Sequence, residues 1–290
     1  MKTRPIRVFF VSGAARQLFG TMDFEVRKIL CSYWYYKTPN VIEMIADIRK
    51  RFKDDPEYEF FTDSGAFSAH TGGVKISVDA YCKYIKAIKP TQYAALDVIG
   101  DPVASEKNTE IMEKEHGLKP IPCYHLCEDY KFLHAMIKKY DYIAFGGMVG
   151  AQREKLLSWL DEAWHIVMRD KPKLKVHGFG QTSLDILERY PWYSVDSSSI
   201  TSAVRYGDVN VIQENGVVTK QRTVSFVSDY AAKNNDQEVY RPGDQTHKQV
   251  IALVQMARVF TKQMEALELR RANIDYETLG ASAHLPGFEL

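Results

Sequence analysis

The sequence is short of several things, and each shortage excludes a class of protein. Net charge is only +1 over 290 residues, so no global positive field draws the chain to nucleic acid. Any such contact must come from a local basic face. No apolar run reaches the length of about 18 residues that spans a bilayer. The opening "MKTRPIRVFFVSGAAR" is basic and then apolar, but its apolar stretch is confined to residues 8–11. That is too short for the core of a signal peptide and reads as a first strand. The cysteines are Cys31, Cys82, Cys123 and Cys127, which suits reduced thiols in the cytoplasm better than a disulfide framework. The pair in "CYHLC" brackets His125, yet no second Cys/His pair follows at zinc-like spacing, so no metal is expected. Internal repeats and low-complexity tracts are absent.

What remains is an ordinary globular composition, 45% hydrophobic and 26% charged, with length enough for a full core. Short apolar runs at 7–12, 58–64, 93–100, 119–125, 142–147, 175–180 and 192–197 are continuous rather than alternating. Continuous runs are what strands buried on both faces of a parallel sheet require. Between them lie amphipathic segments. Residues 41–52 put Val41, Ile42, Met44, Ile45 and Ile48 on one side. Residues 77–88 open on Ser77 as a cap, and 128–140, 153–169 and 182–190 follow. Repeated βα units with short links predict an α/β TIM (β/α)8-type barrel rather than an open sheet.

After residue 200 the pattern changes. Residues 208–226 read as a hairpin around Asn215-Gly216. Residues 245–272 read as a long helix carrying Val250, Ile251, Val254, Ala257, Val259 and Met264. Residues 231–244 read as a polar mobile loop, and 280–290 as a tail over the surface. The expectation is one domain, 1–290, with its core at about 5–228 and a C-terminal helical extension from about 244.

The predicted strands end on chemistry. "YEFFTDSGAFSAH" runs into Asp63, Ser64 and Gly65. The next run holds Asp97, and those after it end on His125, on Gly146-Gly147-Met148, on His177-Gly178 and on Asp196. In a βα barrel all these tips meet on one face, where active sites form. Singly, each has a plainer reading. Asp63 and Asp196 are candidate helix caps, His125 and His177 candidate core histidines, and the glycines turn formers. Asp97, inside an apolar run, needs a partner or a ligand. Two carboxylates at one site can exchange the group on an anomeric carbon, one as nucleophile and the other as acid and base.

The motifs "TDSGAFS", "ALDVIGD", "AFGGMVG", "HGFG" and "YSVDSSS", in this order over residues 58–200, resemble the tRNA-guanine transglycosylase superfamily. The resemblance implies a TIM barrel that exchanges guanine in a nucleic acid for a 7-deazaguanine through a covalent enzyme–sugar intermediate. It implies Asp63 as general acid/base and Asp196 as nucleophile. It implies base contacts from Ser64, Phe67, Asp97, His125, Gly146, Gly147, Met148, His177 and Gly178. Phe67 and His177 stack on opposite faces of the base in this scheme. The departures are specific. No cysteine follows Cys127 to build the zinc site of tRNA-acting members, Ala66 replaces a glycine, and Ser197, Ser198, Ser199 and Ile200 follow the nucleophile. The sequence is therefore most similar to the phage-type, DNA-directed branch. That similarity implies DNA and a free 7-deazaguanine base as partners, no metal or other cofactor, and a cytoplasmic location, the host's if phage-encoded. Exchange in tRNA and a non-catalytic base-binding barrel are the alternatives. A homodimer stays open, its face unread.

Overall fold

The computed structural model describes residues 5–213, 215, 217–234 and 245–277. The chain begins β1 (Arg7–Val11), α1 (Ala15–Thr21), β2 (Lys28–Ser32), α2 (Tyr33–Tyr36), α3 (Pro39–Phe52), β3 (Glu59–Asp63), α4 (Ala66–Thr71) and α5 (Val78–Ile88). It continues β4 (Gln92–Tyr93), α6 (Pro102–Lys114), β5 (Cys123–His125), α7 (Tyr130–Lys139), β6 (Tyr142–Gly146) and α8 (Arg153–Asp170). Then come β7 (Lys175–Gly178), α9 (Leu184–Arg189), β8 (Ser194–Ser197) and α10 (Ser202–Arg205). A hairpin of β9 (Asp208–Ile212) and β10 (Val218–Arg222) leads to α11 (Thr223–Asn234) and α12 (Gln245–Arg271).

The first eight strands form one parallel sheet in the order β4-β3-β2-β1-β8-β7-β6-β5. A parallel bridge between Ala94 and Ile121 joins its two edges. The sheet is thus closed, a TIM (β/α)8 barrel, and closure removes both edges. Helices pack outside the ring. Their buried faces meet the outward strand residues in one large apolar layer that includes Trp164, Trp192, Tyr81 and Phe145. No described helix is long and apolar enough to cross a membrane.

Inward residues, two apart along each strand, fill the ring in tiers. Phe9, Leu30, Phe61, Ala94, Ile121, Cys123 and Ala144 form a separate buried cluster. The floor below it is polar. Arg7 Nε donates to Glu59 Oε1 at 3.0 Å and Gln92 Nε2 donates to Glu59 Oε2 at 3.1 Å. Lys28 Nζ lies 3.9 Å from the same carboxylate. The lumen is a packed core, not a pore.

The sequence reading needs four corrections. It missed β2, the strand that completes the expected eight-stranded barrel beyond the seven runs identified. The expected strand 93–100 hardly exists: β4 is two residues long, and Asp97 sits on the irregular connection to α6. The hairpin stops at Arg222, and 223–226 open a helix. Its strands pair as expected, Val218 with Ile212 and Arg222 with Asp208. Finally, α12 is no appendage. It packs against α1 and α9, the place of the eighth barrel helix, so the hairpin is an insertion before it. Its approach to α1 is close. A Cβ at Gly20 would stand 2.7 Å from Val250 Cγ2. The expected loop at 231–244, apart from the end of α11, and the tail at 280–290 lie outside the described residues.

Candidate active site

The cap reading of the two aspartates fails. The cap of α4 is Gly65, in the left-handed region at φ 73° and without a side-chain cap bond. Only glycine fits there, because a Cβ would meet Trp34 Cβ at 2.5 Å and Ser32 Oγ at 2.6 Å. After Asp196, Ser197 Oγ takes the local turn by accepting from the Ser199 amide at 3.2 Å. Neither aspartate is the N-cap residue of the helix that follows it. By contrast Asp101 is a cap, accepting from the Ala104 amide at 2.9 Å.

Strand parity aims the carboxylates inward. Asp63 lies two residues beyond Phe61, which is in the lumen cluster. Asp196 lies two beyond Ser194, whose Oγ is 2.8 Å from His177 Nδ1. The register puts Asp63 beside Ser32 of β2, and Asp196 beside Phe9 of β1. Strand tilt makes up the height between them. Burial pushes the Asp63 carboxyl up, to about 6; the Gly65 amide draws it back, and the charges of Asp97 and Asp196 raise it further. Those two charges are the mark of convergence. Residues far apart in the chain share one electrostatic space at the strand C-termini.

Asp196 is held from behind and from the side. Gly180 donates its amide to Asp196 Oδ1 at 2.7 Å, from a turn that needs glycine at φ 64°. His177 Nε2 lies 3.4 Å from the same oxygen. Its other nitrogen continues inward through Ser194 to Tyr142, whose hydroxyl is 2.7 Å from Ser194 Oγ. Burial lowers the His177 pKa, against the opposing pull of Asp196, so the ring is neutral. Phe61 and Phe179 enclose it at centroid distances of 4.7 and 4.6 Å. His177→Phe should therefore lower the unfolding free energy by about 1–3 kcal/mol, because Ser194 loses a buried partner. A fall in the urea midpoint with an unchanged slope is the expected reading; an unchanged midpoint would show the bond contributes nothing.

Opposite them, His125 Nε2 is 3.3 Å from Asp97 Oδ2. Burial opposes charge on the His125 ring, but Cys123 and Asp97 beside it outweigh that and hold its pKa well above the usual value. Burial pushes the Cys123 thiol up to about 12.

The other expected base contacts divide. Gly147 is exposed, at φ 72°, beside the backbone of Leu126. Gly146 is buried, and its carbonyl accepts from the Leu126 amide at 3.1 Å. Phe67 is 67% exposed and Tyr35 53%; the Tyr35 hydroxyl lies 3.4 Å from the Oγ of Ser68, the residue after Phe67. His177 does not face Phe67 across a slot, since the His177 ring is wholly buried in the lumen. Ser64 is buried with its Oγ on the Ala66 amide, a turn contact. Gly178 has outward parity, and a Cβ there would strike Trp192 at 2.9 Å. Met148 is buried, its sulfur accepting from Gln181 Nε2 at 3.9 Å. Gly180, Cys123, Glu128 and Ser194 were not among the expected site residues. "HGFG" carried the signal for Gly180, and "CYHLCE" that for Cys123 and Glu128.

At the other end of the barrel a cavity of about 1190 Å³ lies between the strand N-termini and α12, lined by Arg7, Lys28, Glu59 and Arg258 among others. None of the mouth aspartates lines it.

No protein-family model matches the chain, and no curated protein does. Solved structures give weak likenesses. A mutant tryptophan synthase alpha-subunit from Pyrococcus furiosus is 12% identical with TM-score 0.45, over 71% of this chain and 92% of that one. A ligand-free tryptophan synthase from M. tuberculosis is 11% identical with TM-score 0.44, over 70% and 87%. An Aquifex aeolicus VF5 protein is 13% identical with TM-score 0.45, over 70% and 86%. At such values the likeness bears on neither chemistry nor fold. The barrel rests on its own strand order and closing bridge.

Proposed function

We propose that the barrel is a guanine transglycosylase that exchanges guanine in DNA for a 7-deazaguanine base. One observation carries the reading. Asp63 and Asp196 share one mouth, and burial sets the Asp63 pKa at about 6. Near neutral pH Asp63 thus carries a proton part of the time, as an acid/base needs. Asp196, oriented by the Gly180 amide, is free to attack as a carboxylate.

In the first half-reaction Asp196 bonds to the anomeric carbon as the bond to guanine breaks. Asp63 gives its proton to the leaving base. In the second, a 7-deazaguanine loses its ring N–H proton to Asp63, bonds to the same carbon and displaces Asp196. Proton and charge return to their starting places. The target base must leave its stack, at a cost of a few kcal/mol. Exposed Phe67 and Tyr35 offer aromatic faces beside the end of β3 to offset it. Asp97 has one oxygen near His125 and a second to accept from the guanine edge.

The test is exchange of labelled guanine, run in parallel on duplex DNA, single-stranded DNA and tRNA, with and without a 7-deazaguanine base. Label leaving DNA only when the incoming base is present supports the reading. Exchange confined to tRNA selects the alternative substrate. Release without an incoming base means hydrolysis, and no release anywhere leaves a binding barrel.

A further inference from the structure

Beside the aspartate pair lies a second cluster. Cys123 and His125 are two apart on β5, so both point inward. Asp97 comes from the connection after β4, the strand that meets this edge through the Ala94–Ile121 bridge. One ligand atom from each of Asp97, Cys123 and His125 lies within 4.8 Å of the other two.

The histidine is held from both sides, by Asp97 at Nε2 and by Glu128 at Nδ1. Glu128 Oε2 accepts from the His125 backbone amide at 3.0 Å, which fixes the carboxylate. Its Oε1 lies 3.4 Å from His125 Nδ1. A carboxylate on Nδ1 keeps the proton there, so that an ion can take the place of the proton on Nε2, the nitrogen that faces Asp97. This is the outer-shell arrangement that stands behind metal-bound histidines. The wall is kept clear as well. A Cβ at Gly146 would lie 2.7 Å from Cys123 Sγ and 3.1 Å from His125 Nε2. Asp97 and His125 keep 11% and 17% side-chain exposure, an entry path for an ion. Without one, a single imidazole stands between two carboxylates and next to a thiol.

We propose that Asp97, Cys123 and His125 bind a divalent transition-metal ion, with Glu128 as the residue that orients His125. The sulfur, nitrogen and oxygen donors suit zinc and argue against magnesium or calcium, which take oxygen alone. Three protein ligands are the number found in catalytic zinc sites, with a fourth position left open. This departs from the metal-free barrel expected from the sequence. It does not rest on the base-exchange reading, and its test is read without any activity.

The experiment uses the full chain, stripped with a chelator and titrated with Co²⁺. One equivalent should give visible bands of tetrahedral strength and a thiolate-to-cobalt charge-transfer band in the near ultraviolet, both removed by Zn²⁺. Cys123→Ser should lose the charge-transfer band. Glu128→Gln should keep both bands but weaken cobalt binding about 10–100-fold. Circular dichroism on each variant separates loss of ligand from loss of fold. The proposal is overturned if no band saturates near one equivalent. It is overturned equally if folded Cys123→Ser keeps the charge-transfer band, which would assign the thiolate to another cysteine, such as exposed Cys127.

Discussion

Asp196→Asn is expected to remove base exchange, lowering turnover on the order of 10⁴-fold or more, the usual scale for loss of a nucleophile. The reason is local. An amide can still accept the Gly180 amide that Asp196 Oδ1 now takes at 2.7 Å, so the turn and the fold survive. What it cannot do is form an ester with the sugar. The sharper measurement is the intermediate itself. Native protein incubated with DNA and denatured should carry a covalent protein–DNA species, and the variant should carry none. An adduct that persists in Asp196→Asn moves the nucleophile elsewhere.

The second large effect is on stability, with the opposite sign. Asp63 has its folded pKa at about 6, whereas in an unfolded chain it lies near 4. The native state therefore binds more protons than the unfolded state between those values, and stability falls as pH rises through this window. Below about pH 4 both states are protonated and there is no cost. Above about pH 6 the full cost applies, about 3 kcal/mol for a shift of roughly two units. Asp63→Asn removes the ionisation. It should be more stable than the native protein by about 2–3 kcal/mol at pH 7–8 and indistinguishable from it below about pH 4, while losing exchange activity. Urea titrations of both proteins at the two pH values give the answer. Equal gaps at both would mean that burial of this carboxyl costs the fold nothing.

Much of this arrangement was legible in the residues because it follows from periodicity. Continuous apolar runs announced the parallel strands, and the acids at their ends fell on the inward parity of the ladder. Where the ladder stops, parity stops too. Asp97 lies past the short β4, so nothing in "ALDVIGD" told that it turns toward His125. Gly178 and His177 look alike as neighbours in a motif, yet alternation sends one to Trp192 and the other into the lumen. Strand β2 was hidden for an energetic reason. "RKILCS" opens on cations, which weigh against a buried strand. In the barrel Lys28 pairs with Glu57 and with Glu59, so its charge belongs to the floor. Ser64 was assigned by motif alone; its hydroxyl accepts from the Ala66 amide in its own turn.

The filled lumen and its ion-paired floor have a kinetic consequence. With the lumen packed by Phe9, Leu30 and Phe61, a molecule reaches and leaves Asp63 and Asp196 only from the mouth. In the proposed exchange, the departing base must leave through the mouth before its successor can take its place. The order of events is then dictated by architecture, and initial rates measured at several fixed concentrations of the incoming base should trace parallel double-reciprocal lines.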